Sequence, residues 1–203
     1  MSLVTDYING LKEHFTAEDT KSFHKVRSAS IDNINKLKAA YPLCPDSLID
    51  FLSIVDGTYH RDYGDGDTVC VYMLGSDVYE YPYYLLSVKD MLQERKKKDR
   101  SIREIYLGND EESEDVLEEF VEVDPRINTR VPFNKHLCFS HCMNNGGTSK
   151  LYIDFNPTKA GKVGQIIRYL HDPDSYVIIA NSFDNYLQEI INNDFEFMIE
   201  EDE

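Results

Sequence analysis

The feature that most limits how this chain can fold lies in its last third. Four runs rich in β-branched, aliphatic and aromatic residues, at 137–140, 150–155, 164–169 and 176–180, are separated by short turn-forming stretches. Those stretches are Asn144-Asn145-Gly146-Gly147, Asn156-Pro157 with Gly161, and Asp172-Pro173-Asp174. Short connections join antiparallel neighbours, because a parallel crossover needs a dozen or more residues. The segment therefore predicts a four-stranded antiparallel meander.

The first half reads as helices. Leu3, Tyr7, Leu11 and Phe15, with Ile8 beside them, form the stripe of an amphipathic helix. A polar stretch at 16–28 follows and is expected to be partly loop. Ser30 is placed to cap a second helix with Ile31, Ile34, Leu37 and Tyr41 on its apolar face. Pro45 suits the first turn of a third helix, which buries Leu48, Phe51, Leu52 and Val55 and stops at a left-handed Gly57. Residues 68–74 have the composition of a strand. Ser87 and Asp90 form a capping-box-like start for a helix through Val88, Met91 and Leu92, continuing into the basic run Arg95–Arg100. Ser182 caps a last helix with Phe183, Tyr186, Leu187, Ile190 and Ile191 on one face. Helices, then a meander, then a helix is the order of an α+β domain.

Charge narrows the function. The chain has 21 basic and 37 acidic side chains among 203 residues, a formal net charge of −16. Such a field repels phosphates and anionic lipid, which argues against sequence-independent nucleic-acid binding and against membrane docking. The acids cluster: residues 111–124 hold eight acids and no base, read as an exposed loop with a short strand at 120–123. Residues 194–203 hold six acids and no base, a tail expected to fray. No run approaches the roughly 20 apolar residues of a membrane span, and the N-terminus lacks a signal-peptide pattern, so a cytoplasmic location is expected. Cys44, Cys70, Cys138 and Cys142 are too few for a disulfide framework and read as reduced thiols.

No constellation anchors an enzyme. His136, Cys138, His141 and Cys142 offer zinc-type donors within seven residues. On a regular strand, however, His136 and Cys138 point one way and His141 the other, and no second cluster completes a tetrahedron. Asp62-Tyr63-Gly64-Asp65-Gly66-Asp67 lacks the alternation and distal glutamate of a calcium loop, and reads as an acidic contact loop flanked by Tyr59 and Tyr63. Gly161-Lys162-Val163-Gly164 lacks the end of a phosphate loop and reads as a turn. His171 reads as a turn residue. Fourteen tyrosines, with Tyr72, Tyr79, Tyr81, Tyr83 and Tyr84 close together, favour a binding surface, since tyrosine gives large contact area at little entropy cost.

The run Asn145-Gly146-Gly147-Thr148-Ser149-Lys150-Leu151-Tyr152-Ile153-Asp154-Phe155-Asn156-Pro157, followed by Gly161-Lys162-Val163-Gly164-Gln165, resembles the SUKH superfamily. So does the stretch from Val177 through Ala180-Asn181-Ser182-Phe183 to Leu187. Pro45 to Leu52 and Asp56-Gly57 are similar to that family's early helix and the step after it. The likeness runs over about residues 30–192, with its specific part in 145–187. The chain departs from the pattern in having no tryptophan before the glycine pair, Gly57-Thr58 after the early helix, and an acidic insertion at 108–126. Elementary chemistry reads the motif as scaffold: Asp154 and Asn156 fix the turn at Pro157, and Gly161 and Gly164 allow backbone that a β-carbon forbids.

The resemblance implies one α+β domain over residues 1–193, an antiparallel meander flanked by N-terminal helices and a C-terminal helix, with the tail at 194–203. It implies a non-enzymatic binding protein without cofactor. Bacterial members are immunity partners of toxins, commonly nucleases or deaminases, whose basic active sites an acidic protein can enter and cover. The expected partner is thus a basic toxin, with no direct contact to nucleic acid. The expected contacts are Tyr59, Asp62, Asp65 and Asp67 from the loop after the third helix, and Glu111, Glu112, Glu114 and Asp115 from the insertion. A regulatory adaptor, as in the fungal branch, is the second reading. A metal-dependent hydrolase using His136, His141 and nearby acids is the third.

Overall fold

In the computed structural model, residues 2–64, 66, 68–97, 99–108, 114–144 and 146–198 are described, residues 114–115 by their backbone alone. Ser2 caps helix α1 (Leu3–Glu13), which buries Val4, Tyr7, Ile8 and Leu11. The polar stretch after it is more ordered than expected. Helix α2 (Ala17–Phe23) starts at a capping box between Thr16 and Asp19 and buries no residue fully, so it leaves no apolar periodicity to read. Its Phe23 ring lies 5.3 Å from that of Phe15. Ser30 caps α3 (Ile31–Ala40) as expected, but Ile31 is 72% exposed; Ile34 and Leu37 carry the burial. Pro45 is the N-cap of α4 (Asp46–Leu52) rather than a first-turn residue. Gly57 is left-handed at φ +89° but stands five residues past α4. A β-carbon there would lie 2.4 Å from the Ser87 amide nitrogen, so glycine serves the approach of two backbones.

The expected strand at 68–74 is two strands in two sheets. β1 (Arg61–Asp62) and β2 (Thr68–Val69) form a small antiparallel hairpin, and β3 (Tyr72–Leu74) joins the main sheet. Beside β3 lies β4 (Tyr83–Leu85). Ser87 starts α5 (Val88–Lys97), its hydroxyl accepting from the Asp90 amide. Ser101 and Glu104 form a second capping box for α6 (Ile102–Tyr106). The acidic stretch holds α7 (Glu114–Leu117) and β5 (Glu122–Val123), pinned by the buried Leu117 and Val121.

The meander is present. β6 (Leu137–Cys138), β7 (Ser140–Asn144), β8 (Gly147–Asp154), β9 (Gln165–Leu170) and β10 (Ser175–Ala180) run antiparallel, giving the order β3-β4-β7-β8-β9-β10-β5 with β6 paired to β8. Among the described residues only β5 pairs in parallel, through Ser175 opposite Glu122 and Tyr176 opposite Val123. The run at 137–140 breaks at Phe139. There the Ser140 hydroxyl, not a carbonyl, receives the Leu151 amide. The break shifts the alternation of faces by one residue.

Helix α8 (Phe183–Asn192), capped by Ser182, packs with α1 and α4 on one face of the sheet. Phe183 and Tyr186 of α8 close on Phe139 at 5.4 and 5.9 Å between rings. On the other face lie α5, the 3₁₀ turn Phe133–Lys135, and α3 against α5. Phe133 there meets Tyr152 and Tyr176. Side chains cap single carbonyls towards both ends of the strand order. Tyr7 and Tyr186 donate to the carbonyls of Met73 and Gly75, each at 2.7 Å. Arg126, paired with Asp124, reaches the Ile178 carbonyl. The motif residues serve as scaffold: buried Asp154 accepts from the Asn156 amide at 2.8 Å and from Gln165 at 2.9 Å.

The chain does not fray at Asp194. Residues 194 and 195 turn through positive φ, and Phe195 and Phe197 are buried. Phe195 packs edge-on to Tyr7 at 5.2 Å. Two glycines make the room: a β-carbon on Gly10 would meet Phe195 at 2.6 Å, and one on Gly75 would meet Phe197 at 2.5 Å. Emptying such a site leaves a cavity, so Phe195→Ala should lower the unfolding free energy by about 3 kcal/mol in urea denaturation. A loss below about 1 kcal/mol would mean that this segment is not docked in solution.

Candidate functional site

Most of the sheet face that carries α5 is covered, but its β3–β4–β7 side is open. Tyr72, Tyr84 and His141 stand directly opposite one another there on three adjacent strands. The Tyr72 and Tyr84 rings lie 4.5 Å apart, a spacing at which cross-strand aromatic pairs attract. Tyr59 leans over this row, 5.5 Å from Tyr84 and 5.2 Å from His141. His60 follows it, 6.2 Å from Tyr84, with Nδ1 3.1 Å from Cys70 Sγ. Tyr72 is 38% exposed, His60 is exposed, and Tyr59, Tyr84 and His141 are half-buried. The row therefore presents ring surface to solvent.

The overhanging loop is held like a strand. Thr58 is fully buried; its amide donates to the Leu85 carbonyl and its hydroxyl accepts from the Leu85 amide. Buried Asp56 accepts from the Val88 amide at 2.9 Å and from Arg61 at 3.0 Å. Burial nevertheless raises the Asp56 carboxyl above its ordinary value, the Val88 and Arg61 contacts opposing it. Tyr63 donates to the Gly57 carbonyl at 2.7 Å, and Arg61 lies over the Tyr63 ring. The β1–β2 hairpin is thereby fixed beside the ring row.

Beneath His141 lies a buried charge cluster. Glu94 of α5 accepts from Lys150 of β8 at 2.6 Å, and His141 Nε2 is 3.8 Å from the same carboxylate oxygen. Burial alone would push the Glu94 carboxyl up. The His141 imidazole and the Lys150 ammonium outweigh it and hold the carboxyl down at about 2. The break at Phe139 overturns the expected facing of His141: one donor atom each from Glu94, Cys138 and His141 lies within 4.8 Å of the others. Lys150 already places a cation on that carboxylate, so a metal ion would have to displace it. His136 is elsewhere, with Nδ1 3.1 Å from Asp154, so the structure does not bring His136 and His141 together as a hydrolase pair. None of the four cysteines is in a disulfide; burial pushes the Cys142 thiol up to about 11 and the Cys44 thiol up to about 12.

The expected contact residues fall in two places. Tyr59 belongs to the ring row, and Asp62 is exposed beside it on β1, accepting from the Gly64 amide. Asp65 and Asp67 of that loop lie outside the described residues, as do Glu111 and Glu112. Glu114 and Asp115 open α7, with their side chains outside the description. The described end of the insertion leads into β5, at the end of the strand order opposite β3. Sequence reasoning missed the ring row itself. The cluster of tyrosines between 72 and 84 was the available signal, but pairing Tyr84 with Tyr72 and His141 required the strand register.

Removing one partner of a buried ion pair strands the other. Lys150→Met should therefore cost about 3 kcal/mol or more in denaturant unfolding, and adding Glu94→Leu should recover most of it. The depressed Glu94 carboxyl contributes its stability above the ordinary value of 4.5, and that contribution is lost as pH falls from there towards about 2. Equal unfolding midpoints of Lys150→Met and wild type would contradict the pairing.

Among the described residues no helix is long and apolar enough to cross a membrane. No curated protein matches the chain in sequence. Residues 28–189, most of its length, match the model of the SMI1 / KNR4 family (SUKH-1). This agrees with the resemblance carried by the Asn145–Leu187 motifs and with the α+β meander seen here. The chain belongs to the SMI1 / KNR4 family (SUKH-1).

Proposed function

We propose that this protein is an immunity protein: it binds a basic toxin, a nuclease or deaminase, and covers its active site without doing chemistry of its own. The observation that carries this reading is the open row of Tyr72, Tyr84 and His141 with Tyr59 over it, fixed on three strands beside an acidic hairpin. Interface anchors are rigid aromatic side chains at the centre of a patch, with charges around them that steer the partner. Here the loop hydrogen bonds of Thr58 hold Tyr59 in place before any partner arrives. The net charge of −16 supplies the long-range attraction for a cationic toxin. In this reading Asp62 stands next to the rings, and Asp65 and Asp67 add their charge to the steering field. Glu111, Glu112, Glu114 and Asp115 contribute charge to the same steering.

The test is co-expression with the product of the adjacent reading frame, followed by affinity measurement on the purified pair. Tyr72→Ala and Tyr84→Ala should each weaken binding by about 30-fold, the effect of losing an interface anchor worth about 2 kcal/mol. Lysine at Glu111, Glu112, Glu114 and Asp115 together should slow association, most visibly at low salt, and leave the fold intact. If the chain protects against no neighbouring toxin and instead captures a signalling or cell-wall enzyme, the regulatory-adaptor reading replaces this one.

A further inference from the structure

In a chain with 37 acids, one groove has none in its lining. It lies where α3, α5 and the 3₁₀ turn Phe133–Lys135 pack together, and it is lined by Lys36, Leu92, Arg95, Lys96, Asn134 and Lys135. Its volume is about 340 Å³, within the range of small-molecule sites. Among the described residues, none of Lys36, Lys96 or Lys135 stands within ion-pairing distance of a carboxylate. Four cationic side chains, the three lysines exposed, thus line one groove.

Part of the groove is built rather than merely exposed. The Arg95 guanidinium sits 5.2 Å from the centre of the Tyr41 ring. That ring is 4% exposed, and its hydroxyl donates to the His136 carbonyl at 3.1 Å, tying the end of α3 to the end of the 3₁₀ turn. A guanidinium held over a ring keeps its N–H edges free to bind an anion with two parallel hydrogen bonds. The Asn134 Oδ1 atom is buried and has no hydrogen-bond partner among the described residues. That atom is closed off from solvent, so the groove's ligand contacts fall to its cations.

We propose that this groove is a binding site for a small molecule carrying two or more phosphate groups, held by Arg95 and the three lysines. The forked guanidinium and the ammonium point charges together fit phosphate oxygens. The ligand has to be compact. The remaining surface of a chain at −16 repels a long polyanion, so a nucleic-acid strand gains at the groove and loses around it. Glu94, which faces Lys150 and His141, is the α5 residue that serves the ring row, so the two sites occupy different sides of one helix.

The experiment is calorimetric titration of the purified full chain with inorganic pyrophosphate at about 50 mM salt and again at about 200 mM. Saturable one-to-one binding that weakens severalfold at the higher salt is expected. The double reversal Lys96→Glu with Lys135→Glu should weaken it at least tenfold, and Arg95→Lys severalfold, with unchanged circular dichroism. Lys36→Glu gives an independent single reversal should the double variant misfold. The proposal fails if no heat is seen at the lower salt, or if the reversals leave binding intact. It fails equally if an oligoglutamate peptide or a short single-stranded DNA binds more tightly than pyrophosphate. None of these variants touches the ring row, so toxin protection stays as a separate readout.

Discussion

The ion pair between Glu94 and Lys150 joins α5 to the central strand β8, and two surfaces take their positions from it. On one side it sets the helix against His141 and leaves the row of Tyr72 and Tyr84 open. On the other side the next residues of α5, Arg95 and Lys96, turn towards α3 and the 3₁₀ turn. Withdrawing two charges from water is expensive, and a well-packed apolar pair often does as well for stability. What a buried pair adds is register, since only one placement of the helix satisfies both groups. Sliding α5 along the sheet would strand a carboxylate and an ammonium together.

The register of the sheet is fixed in a comparable way. Phe139 breaks β6 from β7, and Ser140 replaces a carbonyl with its hydroxyl as partner of the Leu151 amide. The extra residue moves His141 onto the face of Cys138 and Lys150. A regular strand would have sent His141 to the α1–α8 side, where the ring row could not form. One irregular residue thus decides which face carries the binding surface.

The meander, the caps at Ser30 and Ser182, and the turn at Asp154 were legible because each is local: a strand composition, a hydroxyl before an apolar stripe, a carboxylate two residues before a backbone amide. Helix α2 was hidden because it buries no residue fully and so lacks the pattern that marks its neighbours. The ring row was hidden for another reason. His141 is far from Tyr72 and Tyr84 in sequence, and only strand pairing brings the three together. The cationic groove shares that origin, drawing on residues from 36 to 135 that the chain's overall acidity conceals. Composition averages over the surface, whereas folding sorts it.

The docking of Phe195 against Tyr7 has a consequence for how the molecule is made. During synthesis α1 emerges well ahead of α8, with its apolar stripe short of a partner. Its last partner reaches it only after α8 and the turn beyond have left the ribosome. Contacts between positions so far apart come late, and until they form the nascent chain carries a naked hydrophobic helix. Chaperone capture of that helix, or early pairing with another unfinished copy, is the hazard that such a closing stitch leaves open.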